Sequence, residues 1–281
     1  MPELAFVSGR IMAIEDAVVP IEDRGYQFGD AVYEFIASYG GRLFQADAHL
    51  DRLERSMAAL DFPSLARDRL RGDIRRLYDR AQLERAGLYI QVSRGVAPRN
   101  HAFSADLTPQ VVMTVRRLKE IPPALLARGA AVITVADLRW GRCDIKTVQL
   151  LANVLAKQRA LSSGADDAVF VAGDGTVREG TSSNLFMVQK GRVLTHPLTA
   201  HILPGITRAV VIELCRQEHL TCEERFFDRD ALCAADEIFL TGTTTEVLPV
   251  VSVDGRNIAD GKVGPVARRL RQALRRRAAG D

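Results

Sequence analysis

The second half of the chain alternates two kinds of apolar pattern, and this alternation limits the folds that the sequence can adopt. Short runs rich in β-branched residues, such as AAVITV at 130–135, are typical of strands, whereas apolar residues at helical spacing predict helices. Strands that alternate with helices indicate an α/β fold. The predicted strands lie at 130–135, 167–172, 183–188, 236–241 and 247–253, and the predicted helices at 147–162, 206–219 and 263–279.

The first half contains a strand in the run GDAVYEFIASYGG, on which Tyr33 and Phe35 share a face because side chains alternate along a strand. Two helices are predicted after it, one capped by Asp47 and one that covers 64–85. The runs GLYIQVSRG and PQVVMTVRR then predict two more strands.

The run RLKEIPPALL, at 117–126, places two consecutive prolines between strand-like segments. Proline interrupts both helices and central strands, so this run favours a connection between domains. We therefore predict a boundary near residue 121, with a small domain at 1–120 and a larger one at 121–281.

Composition limits the class of protein further. The chain has 281 residues, of which 47% are hydrophobic, and a net charge of +3, as in a globular protein of one or two domains. No apolar run approaches the ~20 residues of a membrane helix, and the start MPELAFVSGR lacks the apolar core of a signal peptide. We therefore expect a cytoplasmic protein without a membrane partner. The four cysteines form no CxxC pair, so we expect no metal site.

The basic residues concentrate near the end, in the run ARRLRQALRRR. Val266, Leu270 and Leu274 recur every four residues, which predicts an amphipathic helix with its arginines on the solvated face. Binding of nucleic acid through the arginines of 268–277 is the alternative, and it would make this a non-enzymatic binding protein. The helical pattern favours the amphipathic helix, without a nucleic-acid partner.

Lys146 is the candidate catalytic residue. It follows the predicted strand at 130–135 and precedes apolar residues at helical spacing, which places it at a strand-to-helix turn. Loops on a rigid scaffold are where enzymes carry reacting groups, and a lysine in a partly apolar pocket can act as a nucleophile. An exposed surface lysine is the alternative.

Two further segments have the chemistry of anion binding. In PRNHAF, Arg99 and His101 are two residues apart, so in an extended loop both point the same way and together can bind a carboxylate. In LPGITRAVVIEL, Ile206 and Thr207 begin a predicted helix, where unpaired amides attract an anion. An exposed basic loop and an ordinary helix start are the alternatives.

Eight segments together resemble one enzyme family. The run RCDIKTVQLLANVLAKQ closely resembles the Schiff-base lysine segment of the D-amino acid aminotransferases, which are fold type IV pyridoxal phosphate enzymes. The other segments resemble the same family in the same order: EDRGYQFGDAVYE at 22–34, HLDRL at 49–53, SRGVAPRNHAF at 93–103, VREGTSSNLF at 177–186, THP at 195–197, ILPGITR at 202–208 and DEIFLTGTTTEVLPV at 236–250.

The resemblance implies a fold and a cofactor. The fold is the two-domain fold type IV architecture of the α/β class (α+β type), with a small N-terminal α/β domain and a larger C-terminal domain whose mixed sheet or barrel is flanked by helices. The cofactor is pyridoxal 5′-phosphate, bound covalently by Lys146, which also moves the substrate's proton as general base and acid. Glu179 faces the pyridine nitrogen. The implied phosphate contacts are Arg52, Ile206, Thr207, Gly242 and Thr243, and the implied substrate-carboxylate contacts are Tyr33, Arg99 and His101.

The implied reaction moves the amino group of a D-amino acid to a 2-oxo acid, pyruvate or 2-oxoglutarate, by a ping-pong mechanism. The resemblance also implies a homodimer in which Arg99 and His101 reach the neighbouring active site. Branched-chain aminotransferases, (R)-amine transaminases and aminodeoxychorismate lyases share the lysine and the glutamate, and they remain alternatives. His49 and His196 are expected to pack or to support other residues.

Overall fold

The computed structural model describes residues 3–280, and the chain divides into two compact units. The first unit runs through Lys119 and also contains Ile145–Gln149, and the second contains Glu120–Asp144 and the chain from Leu150 onward. The predicted single boundary near residue 121 would place Ile145–Gln149 in the second unit, whereas the structure places this segment in the first. The assignment of separate roles to the predicted domains stays a prediction.

The first unit is built on a six-stranded sheet with the order β2-β1-β6-β5-β3-β4, in which all neighbours are antiparallel. A short 3₁₀ helix follows β2 at Ile14–Asp16. The strands are β1 (Leu4–Val7), β2 (Arg10–Ala13), β3 (Ala31–Tyr39), β4 (Arg42–Leu43), β5 (Ala86–Ser93) and β6 (Gln110–Arg117), and the helices are α1 (Arg24–Phe28), α2 (Ala46–Ala58) and α3 (Arg67–Ala81).

One face of this sheet packs on α2 and α3, and alternation along β3 decides which side chains are buried there. Val32 and Ile36 belong to the fully buried core, and Glu34 lies between them in the same alternation. Tyr33 and Phe35 are half-buried on the other face, as the sequence predicts.

Two predictions about the helices are wrong in detail. The cap of α2 is Gln45, in the left-handed region at φ 55°, and not Asp47. Asp47 lies in the first turn, where its carboxylate pairs with Arg71 of α3 instead of capping amides. The second helix is also shorter than predicted, because the predicted range 64–85 includes extended and turn residues at both ends.

The second unit contains a nine-stranded mixed sheet with the order β12-β11-β10-β13-β14-β7-β8-β9, to which β15 adds beside β14. The strands are β7 (Ala130–Ala136), β8 (Asp167–Val171), β9 (Val177–Gly180), β10 (Asn184–Gln189), β11 (Arg192–Thr195), β12 (Cys222–Glu224), β13 (Glu237–Gly242), β14 (Glu246–Val253) and β15 (Arg256–Asn257). The helices are α4 (Pro123–Arg128), α5 (Leu151–Ser162), α6 (Ile206–Gln217), α7 (Arg229–Cys233) and α8 (Pro265–Ala279).

An additional pairing closes part of this sheet. Asn184 at the start of β10 is opposite Glu179 of β9, and β10 also pairs with β13. Six strands, β10, β13, β14, β7, β8 and β9, therefore form a closed ring. α5 packs on β8, α6 on β13 and α8 on β14, which agrees with the predicted barrel flanked by helices.

The helix after Lys146 begins later than predicted, at Leu151 rather than at 147. The backbone in between is used by the first unit: the Tyr33 amide donates to the Lys146 carbonyl at 2.9 Å, and the Val148 amide donates to the Ala31 carbonyl at 3.1 Å. Residues paired with a strand cannot also form a helical turn. Lys146 therefore lies on a short extended segment beside β3 and not at the start of a helix.

The basic C-terminal run forms α8, as predicted, but many of its arginines have carboxylate partners. Arg269 and Arg276 both pair with Glu218, and Arg275 pairs with Glu246 at 2.9 Å. These pairs give the positive charge of α8 a role within the second unit. No helix among residues 3–280 has the length and apolar character that a membrane crossing requires.

Candidate active site

Two elements of the first unit, β3 and α2, hold the backbone of Lys146 in place. Its carbonyl accepts from Tyr33 of β3, and its amide donates to the buried Ser56 hydroxyl of α2 at 3.2 Å. Its amine lies 4.0 Å from the centre of the Tyr33 ring, which in turn lies 5.5 Å from the Tyr89 ring. The face of the Tyr33 ring therefore contacts the amine of Lys146.

A buried charge cluster lies behind the Tyr33 strand. Glu34, fully buried, accepts from the Nε and Nη2 atoms of Arg52 at 2.7 and 2.8 Å and lies 2.7 Å from Nδ1 of His49. Burial alone would raise the pKa of Glu34, but the charge and hydrogen bonds of Arg52, with those of His49, lower it to about 2. The carboxylate of Glu34 is therefore permanently charged at neutral pH.

His49 is neutral beside this carboxylate. Burial lowers its pKa, and the opposing effect of Glu34 does not reverse the shift. The charged carboxylate of Glu34 can only accept a hydrogen bond, so Nδ1 of the neutral His49 carries the proton and Nε2 is left as an acceptor. His49 thus has the supporting position that the sequence analysis expected, whereas the sequence analysis missed Glu34. Two nitrogens of Arg52 are bound to Glu34. The role of Arg52 at a phosphate stays a prediction.

In the second unit, the side chain of Asn184 binds both Glu179 and the segment that leads into α6. The Asn184 side-chain amide donates to Glu179 Oε2 at 2.9 Å and to the Leu203 carbonyl at 2.9 Å. The Leu203 amide returns a hydrogen bond to Glu179 at 3.1 Å. A Cβ on Gly205 would lie 2.0 Å from the Asn184 side-chain oxygen, so only glycine lets the chain reach α6 along this path.

Glu179 differs from Glu34 in its charge state. Burial raises the pKa of Glu179 to about 7, and the opposing attraction of Arg139 only partly offsets it. Arg139 is shared, because its Nε and Nη2 atoms donate to Asp137 at 2.9 and 2.8 Å while Nη1 donates to Glu179. Glu179 can therefore gain or lose a proton near neutral pH.

The start of α6 has the properties of an anion site. Gly205 precedes the helix in an extended conformation and has no side chain with which to cap the amides of the first turn, which contains Ile206 and Thr207. Thr241 lies opposite Asn184 in the pairing of β10 with β13, and its buried hydroxyl has no hydrogen-bond partner among the described residues. The predicted contacts Gly242 and Thr243 directly follow it along the chain, at the end of β13 and in the next turn.

Arg99 and His101 lie on an exposed loop of the first unit and share one neighbour, Phe28. The Arg99 guanidinium lies 4.5 Å from the centre of the Phe28 ring, and the His101 ring lies 5.5 Å from it. Within residues 3–280 of one chain, no hydrogen bond or ring contact joins this pair to Tyr33. The structure thus brings together Lys146 with Tyr33, and Arg99 with His101, as separate pairs.

Comparison with known proteins identifies the family of the chain. The amino-transferase class IV family model matches residues 31–253. A D-alanine aminotransferase from Bacillus licheniformis is 44% identical over 95% of this chain and 94% of that protein, and one from Staphylococcus haemolyticus is 40% identical over 96% of this chain and 95% of that protein.

A solved structure is similar over the whole chain. The branched-chain amino acid aminotransferase from Escherichia coli superposes with a TM-score of 0.89 at 26% identity, covering 100% of this chain and 95% of that one. This likeness confirms the predicted fold class, a two-domain fold type IV architecture. The chain therefore belongs to the class IV aminotransferase family.

Proposed function

We propose that this protein is a pyridoxal-phosphate-dependent transaminase that moves the amino group of a D-amino acid to pyruvate or 2-oxoglutarate. The observation that carries the proposal is the match to proteins named D-alanine aminotransferase, which extends over 95% of the chain at 44% identity. D-alanine is therefore the first donor to test.

The residues of the second unit fit pyridoxal 5′-phosphate. The uncapped start of α6 offers backbone amides and the Thr207 hydroxyl to a phosphate. The buried Thr241 hydroxyl, on β13, lacks a partner among the described residues and is a further donor for the phosphate. Glu179 is a buried carboxyl that would face the ring nitrogen, with its orientation set by Asn184. When bound, the cofactor supplies a ring that absorbs negative charge from the substrate α-carbon.

The residues of the first unit fit the chemical step. Lys146 would hold the cofactor covalently and would carry the proton of the substrate α-carbon, a role that needs a mobile amine on a fixed backbone. The backbone bonds to Tyr33 and Ser56 fix the chain on both sides of the amine. Arg99 and His101 bind the substrate carboxylate, which Tyr33 also contacts.

We propose that Arg99 and His101 act on the neighbouring subunit of a homodimer. Both side chains are exposed and none of their contacts within the described chain involves Tyr33. The outer face of α5 is apolar and exposed: Leu151, Val154 and Leu155 are 71, 59 and 61% exposed. Apolar residues clustered on one helix face are typical of a surface that a partner covers, and here the partner is a second copy.

Transamination of branched-chain L-amino acids is the second candidate, because the similar solved structures include enzymes named branched-chain amino acid aminotransferase. The two candidates are separated by half-reactions of the pyridoxal form with matched D- and L-amino acids, followed by the loss of the cofactor's visible band. Faster conversion by D-alanine than by any L-amino acid supports the proposal, whereas faster conversion by L-leucine or L-valine contradicts it.

Borohydride reduction of the holoenzyme tests the role of Lys146. We expect the reduced cofactor to remain covalently attached to a peptide that contains Lys146, as read by mass spectrometry. Lys146→Ala should lose both the label and turnover and keep its fold. Lys262→Ala is the matched control, because Lys262 is exposed and makes only a surface ion pair with Asp260. Labelling of any other lysine would reject the assignment.

Coexpression of two inactive variants tests the arrangement in trans. Lys146→Ala should be inactive, and Arg99→Ala should be nearly inactive at D-alanine concentrations near the wild-type KM, but a mixed dimer contains one site with both residues intact. Random pairing makes about half of the dimers mixed, so activity should return to about a quarter of the wild-type value. If mass spectrometry confirms mixed dimers and activity does not return, the loop acts within its own subunit.

A further inference from the structure

The loop that carries Arg99 and His101 is attached to the segment that contains α1. We call residues 95–103 the carboxylate loop. The Arg24 amide donates to the Gly95 carbonyl at 2.9 Å, and the Ala97 amide donates to the Glu22 carbonyl at 3.1 Å. Among the described residues, the backbone hydrogen bonds between this segment and the loop involve the first residues of the loop, so the orientation of its far part depends on side chains.

The side chain of Arg24 supplies this support. It is 3% exposed, and its Nη1 and Nη2 atoms donate to the carbonyls of Asn100 and His101 at 2.6 and 3.1 Å. Its Nε atom donates to Asp30 at 2.9 Å. One planar guanidinium therefore joins the two loop residues that directly follow Arg99 to a fixed carboxylate, and a lysine cannot reproduce this fork.

Phe28, the last residue of α1, supports the side chains themselves. Its ring centre lies 4.5 Å from the Arg99 guanidinium, 4.8 Å from the Arg24 guanidinium and 5.5 Å from the His101 ring. The Gln27 carbonyl accepts from Arg99 Nη1 at 3.4 Å. Both exposed side chains that are assigned to the substrate carboxylate thus rest on one half-buried ring.

We propose that Arg24 and Phe28 are positioning residues of the substrate-carboxylate site, an inference that rests on the proposed function. A long exposed arginine loses rotamer entropy when it binds, and a ring that already holds it in place reduces that loss. Arg24 fixes the loop backbone, and Phe28 fixes the two side chains above it. Neither residue touches the substrate, so both act through Arg99 and His101.

The test compares Phe28→Leu and Arg24→Lys with the wild-type holoenzyme. We expect KM for D-alanine and KM for the 2-oxo acid to rise about 10- to 100-fold, since a misplacement of about 1 Å costs up to that factor. We expect kcat to change much less, because the loop binds a group that does not react. Competitive inhibition by propionate, which has a carboxylate and no amine, should weaken by the same factor as KM rises.

Two variants elsewhere in the first unit are matched controls. Phe44→Leu removes a half-buried ring that contacts Tyr39, and Arg85→Lys replaces a half-buried arginine that stacks on Tyr39 at 4.1 Å. Both should keep KM and the propionate affinity within about twofold of the wild type, because both pack on Tyr39, the last residue of β3. The cofactor spectrum should remain unchanged in all four proteins.

Arg99→Ala separates the possible failures. If Arg99→Ala raises KM and weakens propionate while Phe28→Leu and Arg24→Lys behave like the controls, the positioning role is rejected and the proposed function stands. If Arg99→Ala itself changes neither quantity, the carboxylate assignment of the proposed function fails first. If Arg24→Lys does not fold, Phe28→Leu alone decides, because its ring is half-buried and its loss leaves the Arg24 hydrogen bonds intact.

Discussion

Each unit buries a glutamate beside an arginine, yet the two carboxyls have opposite properties. In the first unit, Glu34 has its pKa lowered to about 2, and in the second, burial raises the pKa of Glu179 to about 7. Both carboxyls are almost completely buried, so the desolvation of the charge is unfavourable in both places. The difference must come from how completely each charge is compensated.

The partners explain the difference. Arg52 gives two of its nitrogens to Glu34, and His49 adds a third hydrogen bond. Arg139 gives one nitrogen to Glu179 and two to Asp137, whose negative charge also raises the pKa of Glu179. A carboxylate with its own arginine stays charged, whereas a carboxyl that shares one with another acid remains near its protonation midpoint at neutral pH.

The comparison agrees with the different roles that we propose for the two carboxyls. Glu34 holds Arg52 and His49 in place and has no reason to change its protonation. Glu179 would receive the ring nitrogen of the cofactor, and the charge on that nitrogen supplies the compensation that Arg139 gives only in part. A buried carboxyl whose charge Arg139 compensates only in part fits the role that we propose for Glu179 at the ring nitrogen.

The largest expected effect is the loss of stability in Glu34→Gln. The substitution removes the charge that pairs with the buried Arg52, and breaking a buried pair in this way costs about 3–5 kcal/mol. Hydrogen exchange of the β3 amides, read by mass spectrometry, reports on the first unit separately from the second. Asp79→Asn breaks an exposed pair with Arg75 and should change the exchange free energy by less than about 0.5 kcal/mol. Equal effects of the two variants would mean that the buried pair does not hold β3.

Glu179→Gln should affect activity more than stability. Gln keeps an acceptor for Asn184 and Leu203 but cannot carry the charge that a protonated ring nitrogen requires. We expect kcat with D-alanine to fall about 100-fold, as when one electrostatic contact to the reacting system is removed. The cofactor's absorption band should shift as well. A variant with wild-type kcat and an unchanged band would make Glu179 a structural carboxyl like Glu34.

The pH dependence of stability in the cofactor-free protein should have opposite signs for the two groups. Glu34 has a lowered pKa, so its contribution is present above about pH 4.5 and is lost as pH falls toward 2. Glu179 has a raised pKa, so its contribution is present below about pH 4.5 and is lost as pH rises through 7. Urea unfolding followed by Trp140 fluorescence reports on the second unit. Between pH 5 and 8 the wild type should lose stability that Glu179→Gln does not lose, and parallel curves would contradict the assignment.

The sequence predicts the longer strands and helices of the second unit, because their apolar periodicity is strong. It does not predict the short elements, which are β9, β11, β12, β15, α4 and α7. The resemblance also assigns Lys146 and Glu179 to segments that the structure makes rigid. The start of the helix after Lys146 could not be predicted, because 147–150 have helical spacing, yet Thr147 and Val148 pair with a strand more than 100 residues earlier. A local pattern carries no information about that pairing.

The contacts between the supporting residues were not predicted, for a related reason. Glu34 and Arg52 are 18 positions apart, on a strand and a helix, and nothing in either segment shows that they meet. Asn184 becomes the centre of the Glu179 group only because β9 pairs with β10 and closes the ring of strands. A charged residue on the buried face of β3 was a usable signal, since Glu34 alternates with Val32 and Ile36.

Asp137→Asn should produce the smallest effect and the sharpest test of why the two glutamates differ. The substitution removes a charge that raises the pKa of Glu179 and reduces the competition for Arg139. Both changes favour the ionised carboxylate, so the pKa of Glu179 should move down toward that of an ordinary glutamate. In the cofactor-free protein, the loss of stability with rising pH should then occur at lower pH than in the wild type. Glu179→Gln combined with Asp137→Asn is the control, and it should show no such loss over the range from pH 5 to 8. A transition that stays at its wild-type pH in Asp137→Asn would show that burial alone, and not the shared arginine, keeps Glu179 near its midpoint.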